Sequence, residues 1–227
     1  MATYVLVHGG WDGGWAWRAV ARRLQAAGHE VFTPTMTGSG ERAHLASPEV
    51  ELSTHIMDVV NVLRYEELEE VILAANSYGG MVITGVAEQV PEQIKQLIYL
   101  DAFVPEDGES LADLAGPAVM GYMEQAAATY GDGWQIPHDP PDADRRTPLL
   151  LNAAKQPLTL DNVAARKLEH TFVHFTDKAD DDFLKPMLEM MAARAREKGW
   201  NYLERPFEHF PILDRPDDVA SLLLELT

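Results

Sequence analysis

The sequence predicts an α/β protein in which a mostly parallel sheet of about six strands is covered by helices on both faces. Strand-like runs alternate with helix-like runs through most of the 227 residues. The run "TYVLV" (3–7) is continuously apolar, as expected of a strand that is buried on both faces. The length fits one substantial domain that carries a lid.

The first half of the chain shows the alternation most clearly. We predict strands at 3–7, 29–35, 70–75 and 94–103, and helices at 15–28, 51–68 and 78–90. Gly28 and Pro91 follow two of these helices and are typical helix ends. In the second half we predict strands at 170–176 and 201–206, and helices at 183–198 and 216–226. Pro216 suits the first turn of the last helix.

Residues 106–168 break this alternation. They contain a predicted helix at 109–130 and then the loop "GDGWQIPHDPPDADRRTP". We interpret them as a small, mainly helical cap over the carboxyl edge of the sheet, with residues 1–105 and 169–227 forming the core of a single domain.

Composition excludes several functional classes. With 18 basic and 36 acidic residues the formal charge is −18, which argues against a nucleic-acid partner. No apolar run is long enough to span a membrane, and the first strand follows Met1 too closely for a signal peptide, so we expect a cytoplasmic protein. Cysteine is absent, and we expect neither a metal nor a cofactor. We expect a monomer or homodimer acting on a small molecule.

The stretch "ANSYGG" (75–80) is a candidate nucleophile turn. A strand ends at Ser77 and a helix rich in small residues follows, which exposes the serine at the helix N-terminus. Ala75 stands where the G-x-S-x-G pattern has its first glycine. A serine helix cap is the simpler alternative for this motif.

A glycine-rich loop follows the first strand in "VLVHGGWDGGWAW" (5–17). Such a loop allows backbone N–H groups to approach an oxyanion closely. It emerges at the same sheet edge as Ser77, where open parallel sheets bind their ligands. The two motifs together indicate an active site.

A base and an acid complete the pattern. His209 lies in a loop between the last strand and the last helix, whereas most other histidines lie in predicted strands or helices. The run "FTDKADDDF" (175–183) follows the fifth strand and offers a carboxylate that could orient the base. Its four competing aspartates are Asp177, Asp180, Asp181 and Asp182. Asp101, at the end of the fourth strand, is a further candidate outside this run. The resulting order Ser…Asp…His is that of a triad on this kind of sheet.

These motifs resemble the α/β-hydrolase superfamily, and within it the branch of plant methyl esterases and hydroxynitrile lyases with their bacterial esterase relatives. The resemblance runs nearly from end to end, through "VLVHGGWDGGWAW", "LQAAGHEVFTPTMTGSGER", "NSYGGMV" and "GWNYLERPFEHFPILDRPDDVA". It implies the α/β-hydrolase fold.

The resemblance also implies the roles of individual residues. Ser77 would be the nucleophile and His209 the base, and the backbone N–H groups of Gly10 and Tyr78 would form the oxyanion hole. Family spacing favours Asp180 as the acid, with Asp177 as the alternative. The expected substrate contacts are Gly9, Trp11, Met120, Met123 and Phe210, joined in the cap by Val119 and Tyr122. For the four cap residues, ordinary helix packing is the alternative.

The predicted activity is that of a serine carboxylesterase that acts on small to medium apolar esters through an acyl-enzyme. Related lyases tend to carry a threonine where Gly9 stands and a lysine where Phe210 stands, so these positions favour ester hydrolysis. The alternatives are a lyase that uses the same triad and a ligand-binding homologue without turnover, for which Ala75 and Asn76 would be the signal.

Overall fold

One parallel sheet organises the molecule in the computed structural model, which describes residues 1–138, 145–180 and 182–227. The strands are β1 (Thr3–Val7), β2 (Glu30–Phe32), β3 (Val71–Ser77), β4 (Ile94–Ala102), β5 (Gln135–Ile136), β6 (Leu149–Leu150), β7 (Glu169–Phe175) and β8 (Asn201–Arg205). Six of them form the sheet in the order β2-β1-β3-β4-β7-β8, and each adjacent pair is parallel. β5 and β6 form a separate antiparallel pair.

Helices connect the strands and cover both faces. They are α1 (Arg18–Ala26), α2 (Leu52–Tyr65), α3 (Gly79–Gln89), α4 (Leu111–Tyr130), α5 (Leu151–Lys155), α6 (Lys185–Glu197), α7 (Pro211–Asp214) and α8 (Pro216–Glu225). In the part of the chain that is described, no helix is long and apolar enough to cross a bilayer.

Alternate residues of each strand enter two different cores. Val5 and Val7 pack with α2, α3 and α6 on one face of the sheet, whereas Tyr4 and Leu6 pack with α1 and α8 on the other. Because both faces are buried, the inner strands have no polar face, which explains the continuous apolar runs in the sequence.

The strand order places a crevice between β1 and β3. From β1 the chain moves to β2 on one side, and from β3 it moves through β4 and β7 to β8 on the other. Ligands of open parallel sheets bind at such a reversal, outside the carboxyl ends of the strands. The glycine loop after β1 and Ser77 at the end of β3 therefore meet at this point.

Residues 106–168 lie outside the main sheet where they are described. Ser110 begins α4 with a reciprocal capping box, since its Oγ accepts the Asp113 N–H (3.1 Å) and the Asp113 carboxylate accepts the Ser110 N–H (2.9 Å). Gly116 (φ 77°, ψ 164°) then kinks the helix immediately before Pro117. The segment continues through β5, β6 and α5.

The element predictions agree with the structure except at a few ends and short elements. The predicted strand 29–35 shortens to Glu30–Phe32, because it is an edge strand and Pro34 cannot donate to the ladder. The predicted helix 15–28 begins with a 3₁₀ turn over Gly14–Trp17. The β5–β6 pair and the short helices α5 and α7 were not predicted, since each has only two to five residues.

Candidate active site

Ser77 occupies a strained turn between β3 and α3. It adopts φ 55°, a left-handed conformation that non-glycine residues rarely take, and it is the last residue of the strand. α3 begins two residues later at Gly79, where a Cβ would lie only 2.7 Å from the His8 carbonyl oxygen. Glycine at this position lets the helix pass close to β1 and leaves room for the Ala75 methyl group, which lies 3.1 Å from the position that a Cβ on residue 79 would take. The geometry is that of a nucleophile elbow.

The His209 imidazole is oriented by a carboxylate. Nδ1 of His209 lies 2.8 Å from Oδ2 of Asp101, and both side chains are buried. Because an ionised carboxylate only accepts, Nδ1 carries the proton, and Nε2 of the neutral ring keeps its lone pair. Within the described residues Nε2 has no hydrogen-bond partner. The ring is therefore in the tautomer that a general base requires.

Asp101 is held in place by several donors. Its Oδ1 accepts the Phe175 N–H (3.2 Å), and Lys178 Nζ lies 2.9 Å from both carboxylate oxygens. The Lys178 side chain is only 2% exposed, so the ion pair is buried. His174 Nδ1 lies 3.4 Å from Oδ1. Burial alone would raise the pKa of Asp101, but His174, His209 and Lys178 outweigh it and hold that pKa below its usual range.

A β-bulge aims Asp101 at this site. Asn76 on β3 pairs with Leu100 on β4 and Ser77 pairs with Ala102, so Asp101 is the extra residue of its strand. It adopts φ 48°. Bulges redirect a side chain that the regular alternation would send elsewhere. This explains how a residue within β4 can reach the loop that carries His209.

The prediction that Asp180 or Asp177 orients His209 is corrected by this geometry. Asp180 is fully exposed and pairs with Lys185 Nζ at 2.5 Å. Asp177 is exposed as well, and its main-chain N–H donates to the Phe207 carbonyl (3.0 Å). Asp182 accepts the Leu184 N–H (2.9 Å) just before α6. Asp181 lies outside the described residues.

Sequence reasoning named Asp101 only as an outside candidate because a bulge leaves no local signature. The acidic run at 177–182 matched the expected position after the fifth strand, while Asp101 stood inside a strand pattern. The only available signal was a charged residue in the otherwise uncharged run "LIYLDAF" (97–103), where burial requires a partner.

His8 fixes the start of the glycine loop. Its Nδ1 donates to the Gly9 carbonyl (2.8 Å), and its Nε2 accepts the Met36 N–H (3.1 Å), so the ring is neutral. Burial lowers the pKa of His8 to about 4. The two bonds hold the main chain directly before Gly10.

The predicted oxyanion donors lie next to each other. A Cβ built on Gly10 would be 3.8 Å from the Tyr78 Cβ, so the two main chains are adjacent. The Tyr78 hydroxyl is buried and donates to His55 Nδ1 (2.9 Å), while His55 Nε2 donates to the Thr37 carbonyl (3.0 Å). These two hydrogen bonds hold the side chain of Tyr78, the residue that follows Ser77.

A largely apolar cavity of about 770 Å³ has Phe210, which directly follows His209 in the chain, in its lining. It is lined by Trp11, Ala118, Val119, Tyr122, Met123, Ala126, Tyr130, Ile136, Pro137, His138, Phe183, Leu184 and Phe210. The Phe210 ring packs 4.6 Å from the His209 ring, which joins the cavity to the base.

Most of the predicted substrate contacts lie in this cavity. Trp11, Met123 and Phe210 line it, together with Val119 and Tyr122. Met120 is buried in the core and Gly9 faces Ser77, where a Cβ would come 3.1 Å from the serine Cβ. Neither residue is among those that line the cavity, and their contact with substrate stays a prediction.

An ion pair connects this cavity to the glycine loop. Asp12 is fully buried, and its Oδ1 accepts from Arg146 Nε (3.2 Å). Arg146 also donates to His138 Nε2 (2.5 Å) and lies 5.0 Å from the Phe210 ring centroid. Burial raises the pKa of Asp12, although the Arg146 charge opposes this shift. Sequence reasoning did not identify this contact, because the two residues are far apart in the chain.

Comparison with known proteins agrees with this fold. The model of the alpha/beta hydrolase family matches residues 4–222, and the chain belongs to that family. It is 38% identical, over the full length of both chains, to a carbendazim hydrolyzing esterase from Nocardioides sp.. It is 25% identical to putative methylesterase 14 of Arabidopsis thaliana, over 98% of this chain and 71% of that protein.

A solved structure supports the same architecture. An extracellular alpha/beta-hydrolase from a Paenibacillus species, which shares structural and functional homology with tobacco salicylic acid binding protein 2, superposes with a TM-score of 0.83. The two are 23% identical, and the match covers 99% of this chain and 98% of the other. The predicted fold is confirmed, and the family and its esterase members support the prediction that this enzyme is an ester-cleaving hydrolase.

Proposed function

We propose that this enzyme hydrolyses carboxylic esters of small to medium apolar compounds with Ser77 as nucleophile, His209 as base and Asp101 as acid. The observation that carries the proposal is the 2.8 Å bond between Asp101 and His209, which leaves Nε2 unpaired in a buried position. The main chain of His209 also lies against the serine turn, because the Asn76 amide donates to its carbonyl. Ser77 stands next to Asn76, at the strained end of β3.

The reaction follows from these positions. Ser77 Oγ attacks the ester carbonyl carbon and transfers its proton to His209 Nε2. The carbonyl oxygen becomes an oxyanion between the N–H groups of Gly10 and Tyr78, at the positive N-terminal end of α3. Collapse breaks the bond to the alcohol, which leaves with the proton from His209. Water then attacks the acyl-enzyme with the same base, which releases the acid and restores Ser77.

Asp101 supports both steps as a fixed anion. Its depressed pKa keeps it ionised throughout the neutral range, so it stabilises the imidazolium that forms on His209. The Lys178 ammonium group, in the loop that follows β7, balances this negative charge, because its Nζ lies 2.9 Å from both carboxylate oxygens. The acid thus stands on β4 and accepts an N–H of β7, while Lys178 of the loop after β7 is its counter-charge.

The cavity suggests the substrate class. Its lining is mainly apolar and aromatic, so it suits an uncharged aryl or alkyl group of the ester. We propose that residues 106–168 act as the cap, with residues 1–105 and 169–227 as the core. Simple methyl esters and carbendazim are reasonable first substrates, because relatives are named for methyl ester cleavage and for carbendazim hydrolysis.

The first test combines turnover with labelling of Ser77. We expect wild-type protein to cleave a chromogenic apolar ester and to be labelled by a serine-reactive phosphonate, and Ser77→Ala to lose both. Ser53→Ala is the matched control: Ser53 is an exposed residue in the first turn of α2, so this variant should retain activity and labelling. Ester cleavage by Ser77→Ala at the wild-type rate would refute the proposal. Cyanohydrin cleavage without ester hydrolysis would favour a lyase instead.

A further inference from the structure

Asn76 is a buried polar residue next to the proposed nucleophile. Its side chain is fully buried at the end of β3, between Ala75 and Ser77. Nδ2 donates to the Leu100 carbonyl (2.8 Å) and to the His209 carbonyl (3.2 Å). Both partners are backbone oxygens, which only accept, so the NH₂ group must face them and uses both of its hydrogens.

The two acceptors lie at distinct parts of the site. Leu100 directly precedes Asp101 and is the strand partner of Asn76 where the bulge begins. His209 lies in the loop after β8, which has no ladder to hold it against the centre of the sheet. The Asn76 side chain therefore donates to the main chain next to Asp101 and to the main chain of His209. Asn76 itself directly precedes Ser77.

Oδ1 of Asn76 argues against a purely structural role. This oxygen is buried and has no partner in the described part of the chain. An unsatisfied buried acceptor costs free energy, and an apolar residue of similar volume would avoid that cost. The neighbouring buried positions of the strand are in fact alanines, Ala74 and Ala75. What the amide contributes here is the pair of donated bonds.

We propose that Asn76 is a positioning residue that sets the distances among Ser77, Asp101 and His209. Its amide secures the bulge that directs Asp101, and it ties the His209 loop to the serine turn. This inference rests on the proposed function and extends it to the residue before the nucleophile. A displacement of about 1 Å in such a constellation can reduce turnover about 100-fold, since the base must meet the serine hydroxyl within hydrogen-bond distance.

The test compares three variants of the full-length protein with wild type. Asn76→Leu keeps the approximate volume and removes both donors. Asn76→His removes the amide and retains an N–H donor. Gln96→Met is the matched control. Gln96 is also a buried amide, but it lies on β4 at the end of the strand away from Asp101, where its Nε2 donates to Thr171 Oγ1 (3.0 Å). Kinetics on one chromogenic ester and thermal unfolding are measured for each.

We expect Asn76→Leu to lower kcat by about 10- to 100-fold with little change in KM, because the cavity is intact and only the reacting groups are displaced. Asn76→His should keep at least several times the kcat of Asn76→Leu. Gln96→Met should lose thermal stability to a similar extent as Asn76→Leu while kcat stays at the wild-type value. If Asn76→Leu does not fold, Asn76→Ser replaces it in the same comparison.

Two results would overturn the inference. One is a kcat for Asn76→Leu equal to that of Gln96→Met, and the other is a loss confined to KM. Neither would affect the assignment of Ser77, because that depends on phosphonate labelling of wild-type protein. Failure of labelling in wild type would instead remove the proposed function itself.

Discussion

At the scale of single residues, the acid shows most clearly what sequence patterns can and cannot predict. Ser77 and His209 were recognisable because their positions follow from chain order and from the ends of predicted elements. Asp101 reaches His209 only through a bulge that shifts the register between β3 and β4. A run of aspartates before α6 carried the stronger local signal, but Asp182 there accepts the Leu184 N–H and Asp180 pairs with Lys185.

Replacing Asp101 provides a direct check of the triad. We expect Asp101→Asn to lower kcat by about 10³- to 10⁴-fold, because the amide neither stabilises the imidazolium nor fixes the tautomer of His209. Steady-state kinetics on an ester substrate would measure the loss. Thermal unfolding should accompany the assay, since the substitution also leaves the buried Lys178 ammonium without its counter-charge.

Asp180→Asn and Asp177→Asn are the controls for that experiment. Both side chains are exposed, and neither has a described contact with His209. We expect both variants to keep the wild-type kcat. A large loss in either of them, with Asp101→Asn still active, would return the role of the acid to the 177–182 run.

At the scale of elements, the strands and long helices were predictable because the buried face of each one gives its sequence a regular spacing of apolar residues. The predicted helix 109–130 corresponds to α4 (Leu111–Tyr130), but its kink was not predicted. Local sequence contained the breaker pair Gly116–Pro117 in an otherwise helical run. Whether such a pair ends a helix or bends it depends on packing against the rest of the chain, which sequence spacing does not describe.

The kink predicts opposite effects of two glycine substitutions in α4. Gly116 adopts φ 77° and ψ 164°, a region that is essentially restricted to glycine, so Gly116→Ala should lower the free energy of unfolding by about 1–3 kcal/mol. No atom would clash with the new methyl group, which isolates backbone strain as the cause. Gly121 also has free space around its Cβ position but lies within the regular helix. Gly121→Ala should therefore raise the free energy of unfolding by about 1 kcal/mol.

Chemical denaturation of the two variants beside wild type would measure both changes. Equal effects of the two substitutions would mean that Gly116 does not need its left-handed conformation, and the kink would then not be a fixed part of α4.

At the scale of the whole molecule, the 106–168 segment is attached to the sheet by polar contacts that cross long sequence distances. Thr147 N–H donates to the Trp11 carbonyl (2.8 Å), and Arg146 pairs with the buried Asp12. Such contacts depend on the tertiary arrangement, and no regular spacing of residues in the sequence indicates them. This is why the sequence could set the segment apart from the main sheet but could not identify the residues that make these contacts.

Arg146 is expected to carry much of this attachment. Arg146→Met would leave the Asp12 carboxylate buried without its described cation, so we expect a loss of about 3 kcal/mol in the free energy of unfolding. We also expect KM for an apolar ester to rise, because Arg146 contacts both His138 and Phe210 of the cavity. Arg145→Met is the neighbouring control: Arg145 is exposed and lies over the Trp15 ring. Equal stability of the two variants would show that the Asp12 pair does not hold the segment.

The location of the acid on a strand has a consequence for how this enzyme can change. In the proposed triad the acid comes from β4, and the described residues of the loop between β7 and α6 contribute Phe183 and Leu184 to the wall of the cavity. Phe183 and Leu184 can therefore change without replacing a residue of the proposed triad, while Lys178 of the same loop keeps its ion pair with Asp101. Variation of those two loop positions could yield a series of enzymes with different ester selectivities and one unaltered catalytic centre.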